Sequence, residues 1–171
     1  FQVAGKVKRG PGPGLIAVEG GTFVMGSMEQ DLAFDNDNYE RRVSVSSFYM
    51  DETEVTNVDY CEYLYWLKRV YGADYPEVYE KALPDTLAWR NPLGFNEPYV
   101  DNYLRHPAYK NYPVVGVSWT QANEYCAWRT DRVNERILID KGILKDNPNQ
   151  VNEDNFSTKA YLSGQYEGMV K

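Results

Sequence analysis

Phe48-Tyr-Met-Asp-Glu-Thr-Glu-Val-Thr-Asn-Val-Asp-Tyr-Cys-Glu-Tyr-Leu64 is the stretch whose reading decides the fold. Thr56 stands three residues before Asp59, the capping-box spacing that satisfies the free amides of a helix start. Beyond it Tyr60, Leu64, Leu67 and Tyr71 recur at helical spacing with Tyr63 and Val70 on the flanks, so one stripe is available for burial. Upstream, Val43-Ser-Val45 alternates as a half-buried strand does. The segment therefore predicts a short strand that runs through a polar cap into an amphipathic helix.

The same design returns at Tyr112-Pro-Val-Val-Gly-Val-Ser-Trp-Thr-Gln-Ala-Asn-Glu-Tyr-Cys-Ala-Trp-Arg129. Ser118 and Gln121 repeat the capping box. Ala122, Cys126, Arg129 or Thr130, Val133 and Ile137 are the expected inner face, widened by Tyr125 and Trp128. Val114 to Val117 reads as a strand opened by Pro113, where the missing amide does little harm. The helix extends through charged residues to Ile137-Leu-Ile139, with Gly142 as its stop. At the other end, Leu15 to Val18 and Thr22 to Met25 flank Gly20-Gly21 and predict a hairpin.

A chain of 171 residues is long enough for one domain with a core and short for two. Its net charge of −7 argues against nucleic-acid binding, which needs basic patches to displace counterions. No apolar run approaches the ~20 residues of a membrane-spanning helix. Phe1 is not an initiator methionine and no signal peptide is visible, so the chain reads as processed. The 15 tyrosines combine large apolar area with a polar tip, which suits semi-wet cores and contact surfaces.

Cys61 and Cys126 fall in or beside the apolar stripes and read as buried structural thiols, with a mutual disulfide or a reactive thiol as alternatives. Residues 1–14 end in Gly10-Pro-Gly-Pro-Gly14 and read as a linker. Residues 27–40 form a polar loop. Its Asp35-Asn-Asp-Asn38 lacks the glycine and distal glutamate of a calcium loop, so a solvated loop is expected rather than a metal site. His106, next to Pro107, has no nearby Cys or His and reads as a loop residue.

Residues 72–111 are irregular and aromatic, with one short helix expected at 76–83 behind Pro76. They read either as core cover or as a binding surface. Tyr75, Tyr79, Trp89 and Tyr99 are the candidate contact residues for the second reading. Residues 141–171 are Asn-rich and polar and read as an insertion or tail with little structure.

Four motifs in order resemble the formylglycine-generating-enzyme (sulfatase-modifying factor) domain: Gly20-Gly-x-Phe-x-Met-Gly26, Val43-x-Val-x-x-Phe48, Glu54-Val-Thr-Asn-x-x-Tyr60, and Pro113-Val-x-x-Val-Ser-Trp-x-x-Ala-x-x-Tyr-Cys-x-Trp128. The resemblance implies an α+β fold of C-type-lectin-like topology, with short strands and two main amphipathic helices. It covers the first half of the family domain, placed at residues 15–140. The later family motifs, and the cysteine pair that holds copper and oxidises substrate in the family, have no match here. The resemblance thus implies no catalytic, cofactor-binding or metal residue in this chain, and no cofactor.

A finer likeness lies in Tyr63 to Tyr71, Ala82-Leu-Pro-Asp-Thr86, Asn96-Glu-Pro-Tyr-Val100, Arg105-His-Pro-Ala-Tyr109 and Trp128 to Glu135. These are similar to the gliding-motility lipoproteins of Bacteroidota, of the GldJ kind, with GldK/PorK as relatives. The likeness implies a non-catalytic structural lipoprotein of the gliding and type IX secretion machinery. It implies GldK/GldN-type protein partners and attachment to the periplasmic face of the outer membrane by an amino-terminal lipid outside these residues. The alternatives are an oxidase whose catalytic half lies outside the chain, and a lectin-like ligand-binding module.

Overall fold

A computed structural model describes Gly10, residues 12–26 and residues 38–168, and these divide into two units, residues 1–53 and 54–171. In the first unit, β1 (Leu15–Val18) pairs antiparallel with β4 (Phe48–Asp51), and β2 (Gly21–Met25) with β3 (Arg41–Val45). The expected hairpin of β1 with β2 is therefore wrong. The register runs on without a shift, Val18 facing Phe48 and Gly21 facing Val45, so all four strands make one long ribbon with a break in the middle.

Gly20 sits at that break for a steric reason. A Cβ there would meet Ser47 N and Val45 O at 2.5 Å, and its own amide donates to Ser47 Oγ at 2.9 Å. Gly20 admits the close approach of the opposite strand, Gly21 pairs with Val45, and the two make no turn. Most of the linker and most of the polar loop, including Asp35 and Asp37, lie outside the described residues.

The second unit is helical. Its α1 (Asn57–Tyr71) begins at the predicted box, with Thr56 Oγ1 accepting from Asp59 N and Asp59 Oδ2 accepting from Thr56 N. Its buried face is Asn57, Tyr60, Tyr63, Leu64, Leu67 and Val70; Tyr71 is half-buried. The short α2 (Pro76–Ala82) matches expectation, and α3 (Glu97–Asn102) follows. The long α4 (Trp119–Asp140) starts on the Ser118–Gln121 box, with Gly142 at φ +70° just past its end.

Three expectations fail in this unit. Val114 to Val117 is not a strand: only Pro113 bridges to Thr56, and Gly116 turns away at φ +79°, where a Cβ would meet Asp85 O at 2.1 Å. The buried residue of α4 is Tyr125, while Ala122 and Cys126 are exposed. The face turns inward at Tyr125, Trp128 and Arg132 because these meet the large rings of α1. Tyr125 stacks on Tyr60 at 5.6 Å, Trp128 lies 5.1 Å from Tyr63, and the Arg132 guanidinium covers Trp66 at 4.7 Å. Large π surfaces outbid an alanine and a thiol for the interface.

The third failure is the polar tail. Residues 141–168 are ordered, with α5 (Thr158–Leu162) and with Leu144, Gln150 and Phe156 buried. Arg132 holds the return of the chain, donating to Glu135 Oε2 at 2.7 Å, Gln150 Oε1 at 3.1 Å and Phe156 O at 2.5 Å. Thr158 N donates to Asp131 Oδ1, and Asn155 Nδ2 to the Tyr71 hydroxyl. Hydrogen bonds to Arg132, Asp131 and Tyr71, with the buried ring of Phe156, order a segment whose composition is polar.

Candidate functional site

The aromatic segment 72–111 is tied to the helical core by two buried groups. Asn57, at the first turn of α1, donates to Tyr103 O at 3.0 Å and Tyr109 O at 2.9 Å. Tyr60 donates its hydroxyl to Ala82 O at 2.8 Å, and burial pushes its pKa up to about 12. Gln121 adds a third anchor, donating to Lys81 O and Leu83 O. A segment without long helices is thus fixed by side chains of α1 and α4 that donate to its backbone carbonyls.

On this frame the segment builds its own aromatic cluster. Trp89 lies 4.7 Å from Tyr103 and 5.3 Å from Tyr99; Tyr103 stacks on Tyr109 at 5.3 Å; Tyr112 closes the group at 5.7 Å from Tyr109. Tyr103 is buried and donates to Pro113 O, and burial raises its pKa. The four candidate residues divide between the two readings. Tyr79 packs against the core with Lys68 Nζ over its ring, and Trp89 is half-buried in the cluster. Tyr75 and Tyr99 are exposed.

The strongest exposed groups were not among those candidates. Leu93 is 97% and Phe95 82% exposed. They stand on a tight turn in which Asn91 bridges to Gly94 and Asn91 Oδ1 accepts from Leu93 N at 2.9 Å. The turn is closed at its base by a two-point ion pair, Arg90 Nε to Glu97 Oε1 at 2.9 Å and Nη2 to Glu97 Oε2 at 3.2 Å. The sequence signal was present in Asn91-Pro-Leu-Gly94, a turn tetrad with Leu93 where a polar residue is usual and Phe95 directly after it.

A second feature is an open cleft of about 520 Å³ between α1, α2 and α4, lined by Tyr63, Trp66, Trp128 and Arg132 among others. Burial lowers the Arg132 pKa while Glu135 and Asp131 oppose the shift. Trp128 Nε1 and Arg132 Nε are buried there without a partner among the described residues.

The two thiols do not fit a copper(I) site, which needs paired thiolates. Cys61 Sγ lies 3.6 Å from Leu104 O, and burial raises its pKa with Arg105 pulling the other way. Cys126 is exposed on α4, and both cysteines are free. The expectation of a buried thiol therefore fails for Cys126, and the mutual disulfide is not formed. No three His, Cys, Asp or Glu side chains gather among the described residues. His106 caps a 3-10 turn, its Nδ1 accepting from Ala108 N. No helix of the described residues is long and apolar enough to cross a membrane.

Residues 1–139 match the sulfatase-modifying factor enzyme 1-like domain. The formylglycine-generating enzyme of Mus musculus is 27% identical over 142 residues, covering 70% of this chain and 36% of that protein. The inactive C-alpha-formylglycine-generating enzyme 2 of Mus musculus is 30% identical over 136 residues, covering 71% and 44%. A third relative, the serine/threonine-protein kinase pkn1 of Chlamydia caviae, is 27% identical over 116 residues, which are 67% of this chain and 16% of that protein. The chain thus spans less than half the length of these relatives.

Proposed function

The chain belongs to the sulfatase-modifying factor enzyme 1-like domain family, and on that premise we propose that its role is structural. In this reading it is a non-catalytic lipoprotein of the gliding-motility and type IX secretion machinery, held at the periplasmic face of the outer membrane by an amino-terminal lipid. Its partners are GldK/GldN-type components. The observation that carries the structural part is the build of segment 72–111. Its backbone is pinned by Asn57, Tyr60 and Gln121, its inner rings fill a cluster, and its outer apolar side chains stand in solvent. A rigid frame that presents apolar groups outward is what a protein-contact surface requires. The family contains proteins named inactive, which makes a non-catalytic member unexceptional. The gliding assignment draws on the finer motif likeness.

The test is co-purification from cell envelopes of the source bacterium. Type IX secretion components are expected to accompany the full-length protein, and a Tyr75→Ala variant is expected to release them without a lower melting temperature. Retention of every partner by a folded variant would move the interface out of this segment. A second reading, an oxidase with its catalytic half outside these residues, is favoured by the likeness to the mouse enzyme. Formylglycine production from a cysteine-containing sulfatase peptide by the full-length product would establish it and end the structural reading.

A further inference from the structure

We infer that residues 143–163 form a hinged strap that swings off α1 and α4 as one unit and so widens the cleft between α1, α2 and α4. The seam is the first observation. Among the described residues no backbone-to-backbone hydrogen bond joins 145–163 to α1 or α4, and side chains make the attachment. Arg132 reaches Gln150 Oε1 and Phe156 O, Asp131 takes the Thr158 amide, and the Tyr71 hydroxyl accepts from Asn155 Nδ2 at 2.7 Å. Arg69 donates to Pro148 O, and Asn152 Nδ2 to Asp74 Oδ2. Asn155 is also the strap's share of the cleft lining, with Trp66, Tyr71 and Trp128 on the helix side. The buried ring of Phe156 packs on Tyr161 within the strap and on Tyr166 just past it, at 5.9 and 5.2 Å.

The closed seat is imperfect, and the defects gather there. Trp128 Nε1, Arg132 Nε and Asn152 Oδ1 are buried without partners among the described residues, and Asn152 is held at φ +49°, in the left-handed region. Orphaned polar atoms and a left-handed residue other than glycine both raise the free energy of the closed form. Opening hydrates all three atoms and frees that backbone, while the charged bonds of Arg132 favour closure. Hinges are in place at both ends. Gly142 at φ +70° and Gly164 at φ +72° bound the strap, and a Cβ at either would meet nothing within 4 Å, so the chain rotates there without a clash. The core of α1 is built otherwise, from buried Tyr60, Tyr63, Leu64 and Leu67, and stays shut when the strap opens. A unit held by side-chain bonds over unsatisfied groups opens below the free energy of global unfolding.

Native-state hydrogen exchange on the full-length protein, read at rising sub-denaturing guanidinium, tests this. The amides of Phe156, Thr158 and Tyr161 are expected to share one opening constant, about tenfold or more above that of Tyr63 to Val70 in α1. Phe156→Ala is expected to raise the strap's constant about tenfold further and to leave that of α1 within about threefold. Arg132→Met, which keeps a long apolar side chain and removes the donors, is expected to do the same. Equal changes in strap and α1 would assign both residues to the common core and overturn the strap. So would strap amides that exchange only with global unfolding, or constants graded from one end, which is fraying. The cleft is read separately. In a Trp119→Phe background, which removes a tryptophan 81% exposed, acrylamide is expected to quench a larger fraction of the fluorescence once Phe156→Ala is added. Unchanged quenching with an opening strap overturns the widening of the cleft.

Discussion

Helices α1 and α4 begin alike and are used differently. Each starts on a closed capping box, Thr56 with Asp59 and Ser118 with Gln121. Yet α1, with 15 residues, buries Asn57, Tyr60, Tyr63, Leu64, Leu67 and Val70, whereas α4, with 22, buries Tyr125. The cap is a local device and fixes where a helix begins. Which face turns inward is decided by the groups opposite, and α4 meets a row of tyrosines and Trp66. Its contribution is therefore made through few contacts of large area, Tyr125, Trp128 and the Arg132 guanidinium, and through the polar segment that Arg132 holds.

The largest expected effect contrasts the two faces directly. Tyr63→Ala removes a ring 3% exposed that touches Tyr60, Tyr125 and Trp128, and costs about 3–5 kcal/mol. Ile137→Ala, on the face of α4 that periodicity favoured, costs under about 1.5 kcal/mol, because Ile137 is half-exposed. Denaturant unfolding of both variants decides it. Equal losses would show that the two faces carry equal weight.

Alkaline pH provides a milder probe of α1. The Tyr60 phenol is raised from 10.0 to about 12 by burial, with Glu124 adding to the shift. The unfolded phenol ionises first, so this stabilisation is complete below pH 10 and is lost as pH rises toward 12. The loss amounts to about 2–3 kcal/mol. Tyr63 moves in the same direction. Tyr60→Phe is expected to be about 1 kcal/mol less stable at pH 7, having lost the bond to Ala82 O, and to fall less steeply above pH 10 than the unsubstituted protein. A parallel decline would place the alkaline transition elsewhere.

Caps were legible from the sequence because both partners of a capping box lie within four residues. Thr56→Ala and Ser118→Ala are accordingly expected to cost the same, about 1 kcal/mol each, and a large inequality would mean that one helix start is held mainly by tertiary contacts. The α+β class and the family were legible from motifs spread over 15–130. What could not be read was non-local. Gly20-Gly21 looks like a turn until Ser47 and Val45 are known to cross it. Phe156, alone in a polar run, looks idle until Arg132 is seen to hold its carbonyl and Gln150 its amide. Leu93 and Phe95 were overlooked because the rings around them, Trp89 and Tyr99, drew attention for the same composition, and the degree of exposure cannot be read from composition.

The smallest expected effect tests the orientation of α4 most cleanly. Cys61 and Cys126 each follow a capped helix start, and periodicity puts Cys126 on the inner face of α4 and Cys61 beside the stripe of α1. In the structure Cys126 is exposed, and Cys61 is half-buried with its thiol toward Leu104 O. Cys126→Ser is therefore expected to change stability by less than about 0.5 kcal/mol. Cys61→Ser is expected to cost under about 1 kcal/mol, since the new hydroxyl has a carbonyl within reach. Reactivity separates the pair further. Burial raises the Cys61 pKa and so lowers its thiolate fraction at neutral pH, while Cys126 meets solvent. Maleimide labelling of the folded protein at pH 7, read by peptide mass, is expected to modify Cys126 well before Cys61. The reverse order would mean that the face carrying Ala122, Cys126 and Ile137 is the covered one, and that periodicity had read α4 correctly.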